Sequence, residues 1–472
     1  MDPQRLLQRF LRYVRIDTTS QPEAKGYPSS PGQLELGRLL AEELRALGVA
    51  DARQNQHGIV LATIPASRKK GTVPICAEHP PGGHQPKVGR GKWGLSSFSG
   101  CAAPTIALCS HLDTSPETTG AGVKPQVIEN YPGGDIVLSG DPSRVIRTAD
   151  NPELESLRGR TLITTDGTTL LGADDKAGVA IIMETAARLV EHPEIPHGPL
   201  RICFTCDEEI GHGVDKLDLQ EIGAAVCYTL DGHASGEIDV ETFSADQAVV
   251  TVRGVNIHPS IAKGRMTNAV RAAADFVARL PRDGLSPETT ELREGFLHPY
   301  DITGGVGEVK LKILLRDFDA AKLDELADRL RQTAAAVMQD FPRAKIDVAI
   351  ERQYRNMAEG LAREPRAAGY AEEALKRLGR TAKRTIVRGG TDGSRLTELG
   401  LPTPNLSCGG HNPHSPLEWA CLEEMVESVE WLVSLAEVWG KEGSLIGSCR
   451  GMFATPEEAD EFLAREREAW DS

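Results

Sequence analysis

Three short apolar runs in this chain each end in acids or histidine, and that recurrence limits the folds open to it. Thr105-Ile106-Ala107-Leu108-Cys109 leads into Ser110-His111-Leu112-Asp113, Leu200 to Thr205 leads into Cys206-Asp207-Glu208-Glu209, and Ala224 to Leu230 leads into Asp231-Gly232. A fourth cluster, Asp174-Asp175, stands in the loop Gly167 to Gly178, directly ahead of an apolar helix that starts near Lys176 and stops at His192-Pro193. Strands that deliver polar groups at their C-terminal ends and alternate with helices predict a mostly parallel sheet, with a site along that edge.

Around this centre, residues 3–14 and 33–47 carry leucines at helical spacing and read as amphipathic helices flanking the sheet. The texture changes near Val240. Strands are expected over 245–255, 308–316 and 344–351, with helices over 266–280 and 319–340 between them, and few acidic clusters at the strand ends. This is expected to be an inserted domain. The first domain resumes near Leu361, passes the strand Thr385 to Val387 and the segment Arg388-Gly389-Gly390-Thr391-Asp392-Gly393, and closes with a helix over 417–438. The expected fold is α/β: a mostly parallel mixed sheet flanked by helices, formed by residues 1–240 and 356–440, with a smaller α+β domain inserted over 241–355. Residues 65–104, rich in Gly, Pro, Ser and basic side chains without a hydrophobic period, read as a surface insertion. Residues 441–472 read as a polar linker and an acidic helix capped at Thr455-Pro456-Glu457-Glu458.

Composition excludes several functions. With a net charge of -15 over 472 residues, the chain lacks the clustered cations that a nucleic-acid backbone demands. No window approaches 18 uninterrupted apolar residues, so no membrane span is expected, and the polar N-terminus has no apolar signal core. Nine cysteines without a regular framework suggest reduced thiols in a cytoplasmic protein.

Taken singly, the clusters have ordinary explanations. His111-x-Asp113 places both side chains on one side of an extended backbone, but alone it matches any surface histidine with an acidic neighbour. Helix capping accounts for one of Asp174 and Asp175, and a bridging metal ligand accounts better for the other, because two carboxylates beside an apolar helix need a cation. At the end of a strand, Glu208 and Glu209 face opposite ways, so that one could bind metal while the other acts on water. Cys203-x-x-Cys206 along a strand points its thiols to opposite faces and has no second pair, which argues against a zinc knuckle. Near the C-terminus His411 and His414 compete as ligands.

Together these segments resemble the M20 metallopeptidase family. The resemblance is carried by Ser110 to Pro116, Gly167 to Gly178, Phe204 to Gly211, Tyr228 to Gly232, Ile257-His258-Pro259, Arg388 to Ser394 and Asn412-Pro413-His414 through Glu418, which follow one another in the family's order. It implies His111 and Asp231 on one zinc, Glu209 and His414 on the other, Asp174 as the bridge, Asp113 as the residue orienting His111, and Glu208 as general base. It also implies a cis peptide between Asp174 and Asp175, an oxyanion-steadying role for His258, and a peptide-carboxylate anchor in Arg316 of the smaller, lid domain. Two departures stand out: Ser415 and Leu417 occupy positions where the family commonly has Gly and His. The four-residue step to Glu418 favours His414 over His411.

The activity implied is a dizinc aminopeptidase that removes the N-terminal residue from tripeptides, with manganese or cobalt as possible substitutes for the two Zn2+. The alternatives are a dipeptidase or N-acyl amino acid deacylase of the same family, or a non-catalytic peptide- or metal-binding protein of the same fold. The implied partners are short peptides with a free N-terminus, with no nucleic acid and no membrane, for a monomer or homodimer.

Overall fold

The computed structural model describes residues 2–67 and 103–441. Most of the 65–104 segment and nearly all of the 441–472 tail lie outside the described residues.

An 11-stranded sheet organises the larger part of the chain. Its centre is four parallel strands, in the order Leu200–Thr205, Ile106–His111, Val226–His233 and Asn405–His411. Val60–Ile64 and then Arg53–Gln54 extend one side, antiparallel from Leu200–Thr205 outward, and the short strands Trp419–Cys421, Leu162–Thr164 and Gln126–Ile128 extend the other side, also antiparallel. Every residue of Ile106–His111 is buried, as expected of a strand covered on both faces. The sheet is therefore the mixed, centrally parallel one expected, with its acid- and histidine-bearing strand ends on one edge.

Helices cover both faces. Pro3–Tyr13, Pro31–Ala46, Ala173–Glu191, Arg366–Arg377 and Leu422–Lys441 pack their leucines, alanines and tryptophans into one large core. Leu396 and Leu401, with Val214 and Ile222, form a smaller core on the opposite face. Ala173–Glu191 is buried almost all round, which its alanines and Gly178 make possible. A Cβ on Gly178 would stand 2.3 Å from the Leu230 carbonyl oxygen, so only glycine lets this helix lie so close to the strand ahead of Asp231.

The second sheet is antiparallel, in the order Phe296–Gly304, Glu308–Asp317, Ser244–Arg253 and Lys345–Tyr354. Helices Ala269–Ala278 and Ala320–Asp340 share a separate apolar core with it. Glu308–Asp317 alternates exposed and buried positions, the period of a strand with one wet face. Phe296–Gly304 was not expected from sequence: it contains Pro299 and pairs through a register shift between Pro299 and Asp301, as suits an edge strand. The closing helix begins at Leu422, not at 417, because Trp419–Cys421 is taken up by the sheet.

Candidate metal centre

The register of the parallel strands builds half of the site. Cys109 is level with Thr229 across the Ile106–His111 and Val226–His233 pair, and two residues further His111 meets Asp231, with Nε2 at 3.7 Å from Asp231 Oδ1. The Asn405 side chain fixes this end of the strand: its Oδ1 accepts from the Asp231 N–H at 3.0 Å and from Thr229 Oγ1 at 2.9 Å.

The loop before the buried helix supplies the next group. Gly172 takes φ +80°, Asp174 and Asp175 are non-helical, the peptide between them is cis, and regular helix begins at Lys176. Asp174 Oδ1 lies 2.9 Å from His111 Nε2, and Asp174 Oδ2 lies 3.4 Å from His414 Nε2. His414 Nε2 is 2.9 Å from Glu209 Oε2. One carboxylate thus faces two histidines, and the same Nε2 of each also faces a second carboxylate, Asp231 for His111 and Glu209 for His414.

Glu208 and Glu209 do not end the strand, as the sequence suggested. They lie in a 3-10 turn, Glu208–Ile210, after Asp207 turns the chain at φ +62°. The Asp207 carboxylate holds that bend, accepting from the Ser29 N–H and from Gln33 Nε2, both at 2.7 Å. Asp113 is completely buried; its two oxygens accept the N–H groups of Glu208 (3.0 Å) and Glu209 (3.1 Å). His111 Nδ1 sits 3.0 Å from the Asp113 carbonyl oxygen and 3.4 Å from its carboxylate, so Asp113 faces the imidazole and the glutamate turn at once. Asp175 turns inward and accepts the His111 N–H at 3.2 Å.

The electrostatics are those of too many carboxylates in too little water. Burial pushes Glu209 and Asp231 up to about 7, and the charge of Asp174 adds to both. Burial likewise raises Glu208 and Asp175 well above the carboxylate range. For the histidines burial works downward, but the surrounding carboxylates outweigh it: His111 is held well above its usual value, and His414 rises to about 11. Asp174 goes the other way: burial would raise it, but His111 and His414 hold it below the normal range.

This donor set suits divalent cations. Ligand atoms of His111, Asp174 and Glu209 all lie within 4.8 Å of one another, and so do those of His111, Asp175 and Asp231. Glu209 Oε1 is buried without a hydrogen-bond partner among the described residues, as a ligand oxygen facing a cation position would be. Imidazole nitrogens mixed with carboxylate oxygens are the donors that zinc, manganese or cobalt accept.

His411 is turned away from this cluster. Its ring stacks on Trp419, with centroids 3.7 Å apart and planes within 1°, and its Nε2 meets Glu424 at 2.8 Å. His258 is exposed and engages Ser260 Oγ at 2.7 Å, and among the described residues it makes no hydrogen bond to the cluster. Arg316 donates through Nη1 to the carbonyls of Asp246 and Leu315, and its guanidinium lies 5.6 Å from the Tyr354 ring centre. Tyr354 ends the strand Lys345–Tyr354 of the second sheet, and burial raises its hydroxyl. Cys203 and Cys206 belong to different cores on opposite faces of the sheet, as their spacing predicted.

Sequence reasoning assigned no role to two further groups. Asp392 is buried, accepts from Thr205 Oγ1 at 2.6 Å, and is raised to about 7 by burial. Glu418 served only to align His414, yet its carboxylate is buried against the Asp174 loop. Nothing local marked either one, because their partners lie far off in sequence.

Residues 165–438 match the model of peptidase family M20/M25/M40. Peptidase T of Geobacillus thermodenitrificans is 41% identical over 441 residues, covering 93% of this chain and 100% of that protein. Peptidase T of Bacillus subtilis is 38% identical over 432 residues, covering 92% and 98%. Among solved structures, aminopeptidase PepT from Bacillus cereus aligns with a TM-score of 0.66 at 23% identity, over 93% of this chain and 99% of that one, which shows a shared fold.

Proposed function

Since this chain belongs to peptidase family M20/M25/M40, we propose that it is a metal-dependent aminopeptidase that removes the N-terminal residue of tripeptides, with Glu208 as general base. The observation that carries this reading is the Asp174 carboxylate set between His111 and His414, each flanked by a second carboxylate. His111 and Asp231 would hold one Zn2+ and Glu209 and His414 the other, with Asp174 as the ligand that would serve both. Bound there, two cations supply Lewis acidity for a scissile carbonyl and lower the pKa of water.

The chain's own residues do the rest. Asp113 fixes the backbone of Glu208 and Glu209, so the base and a ligand are aimed together. Burial gives the Glu208 carboxylate a raised proton affinity, which suits a group that takes a proton from water and returns it to the departing amine. We assign the domain of the second sheet as a lid. Arg316 is the anchor for the peptide carboxylate, a task that its planar fork suits. His258 is the lid group for the oxyanion. Free, buried cysteines among the described residues support a cytoplasmic setting, and no described helix is long and apolar enough to cross a membrane.

The test is a substrate panel on protein stripped of metal and reloaded with zinc. Tripeptides with a free N-terminus should be hydrolysed far faster than dipeptides, N-acetyl amino acids or N-blocked tripeptides. A preference for dipeptides or N-acetyl amino acids would refute the tripeptide assignment, and hydrolysis that persists in the stripped protein would refute metal dependence.

A further inference from the structure

We propose that Glu418 is a positioning residue that joins the two ligand-bearing loops of the centre and sets the affinity of the second cation position. The inference rests on the site reading above. Glu418 is 1% exposed, and its carboxylate collects three backbone N–H groups from one stretch: Leu171 and Gly172 at 2.7 Å each on Oε2, and Asp174 at 3.0 Å on Oε1. That stretch is irregular backbone, with Gly172 at φ +80°, and no strand among the described residues pairs with it. Its N–H groups would be orphans of a loop and of a helix start. A carboxylate that satisfies all three holds the loop in one shape, and the loop carries the carboxylate shared by both histidines.

The other end of the connection is just as direct. Glu418 is tied to His414 through a tight turn, with the Glu418 N–H on the Ser415 carbonyl at 3.1 Å and the Leu417 N–H on Ser415 Oγ at 3.1 Å. His414 takes φ +60°, and its carbonyl accepts from Thr118 Oγ1 at 2.7 Å. Moving the Glu418 carboxylate therefore moves Asp174 and His414 relative to each other. The two cation positions depend on this unequally. His111 ends one sheet strand and Asp231 lies within its neighbour, so both keep their places without it. Glu209 sits in a 3-10 turn and His414 in a loop, so their position relative to Asp174 has no sheet behind it.

Metal-free protein, titrated with Co2+ and followed by its visible absorption, tests this in wild type, Glu418→Gln and Glu418→Ala, with the melting temperature of each metal-free protein measured alongside. In Glu418→Gln an NH2 group replaces one acceptor oxygen at nearly constant shape. The expected result is two binding steps in wild type, and in Glu418→Gln a second step weakened about 10- to 100-fold while the first is little changed. Glu418→Ala should show the same pattern, larger, if it folds. Two unchanged steps in Glu418→Gln overturn the inference, and so does equal weakening of both steps with a lowered melting temperature, the mark of a merely structural residue. Wild-type protein that takes up a single cation overturns the site reading, and this inference with it.

Discussion

The carboxylate of Asp113 grips Glu208 by its backbone: Asp113 Oδ1 accepts the Glu208 N–H at 3.0 Å, while Oδ2 accepts that of Glu209 at 3.1 Å. One buried side chain thereby fixes the proposed base and a proposed ligand, and its own carbonyl oxygen meets the His111 ring at 3.0 Å. Asp113→Asn replaces one acceptor by a donor and leaves one N–H of the glutamate turn without its bond. Activity should fall by about 10- to 100-fold, as for loss of a group that orients a metal ligand, measured as kcat/KM beside the metal content. Unchanged kcat/KM would show that the turn keeps its shape without the carboxylate.

Glu208→Gln should keep its metal and lose turnover. The side chain keeps its size but cannot take a proton, so kcat should drop by about 10²- to 10⁴-fold. Metal content by elemental analysis separates this outcome from a ligand defect, in which both would fall together.

Asp174→Ala removes the one carboxylate among the described residues that faces both histidines. Metal retained after gel filtration should fall from about two per chain to less than one. Full retention would eliminate Asp174 as a shared ligand.

Cation uptake should release protons. Burial holds Asp231 and Glu209 at about 7, so below that pH each carries a proton that a cation must displace. Apparent affinity should therefore rise steeply from pH 6 to pH 8 and keep rising above, because His414, which burial lowers but Asp174 and Glu209 raise to about 11, must also lose its proton to bind. Calorimetry in buffers of different protonation enthalpy reads the protons released, and a release of zero at pH 6 would contradict the assignment of these two groups as ligands.

Asp392 should cost the metal-free protein stability as pH rises. Its folded value of about 7 lies above that of an exposed aspartate, so between about 4 and 7 the native state binds more protons than the unfolded chain. That sign makes stability from this group complete at low pH and lost as pH climbs through 7. Asp392→Asn keeps an acceptor for Thr205 Oγ1 and has no charge to bury. The melting temperature of the variant minus that of wild type should grow from pH 4.5 to pH 7.5, and a difference that stays flat would mean that Asp392 is ionised throughout.

Much of the architecture was legible because it is written locally. Ile106–His111, Leu200–Thr205 and Val226–His233 announce themselves as apolar runs with a polar stop, and a helix after Asp175 follows from a largely apolar stretch that His192-Pro193 stops. Phe296–Gly304 was missed for the opposite reason: Pro299 and its polar neighbours hide a strand whose existence depends on pairing with Glu308–Asp317. The Glu208–Ile210 turn was read as strand because Asp207 reverses the backbone through Ser29 and Gln33, more than 170 residues earlier.

By itself, then, the sequence determined the parallel sheet, the edge on which acids and histidines gather, and the residue types of the centre, since each follows from the period of a short segment and from what its end exposes. Tertiary structure decided which of these groups meet. His414 faces Asp174 and Glu209, while His411, three residues earlier, stacks on Trp419 against Glu424. Glu418 closes on a loop 244 residues away from it, and Asp392 buries its carboxylate against Thr205. Such pairings depend on where distant backbones come to lie once the sheet and its helices have packed, and no local pattern of residues records that.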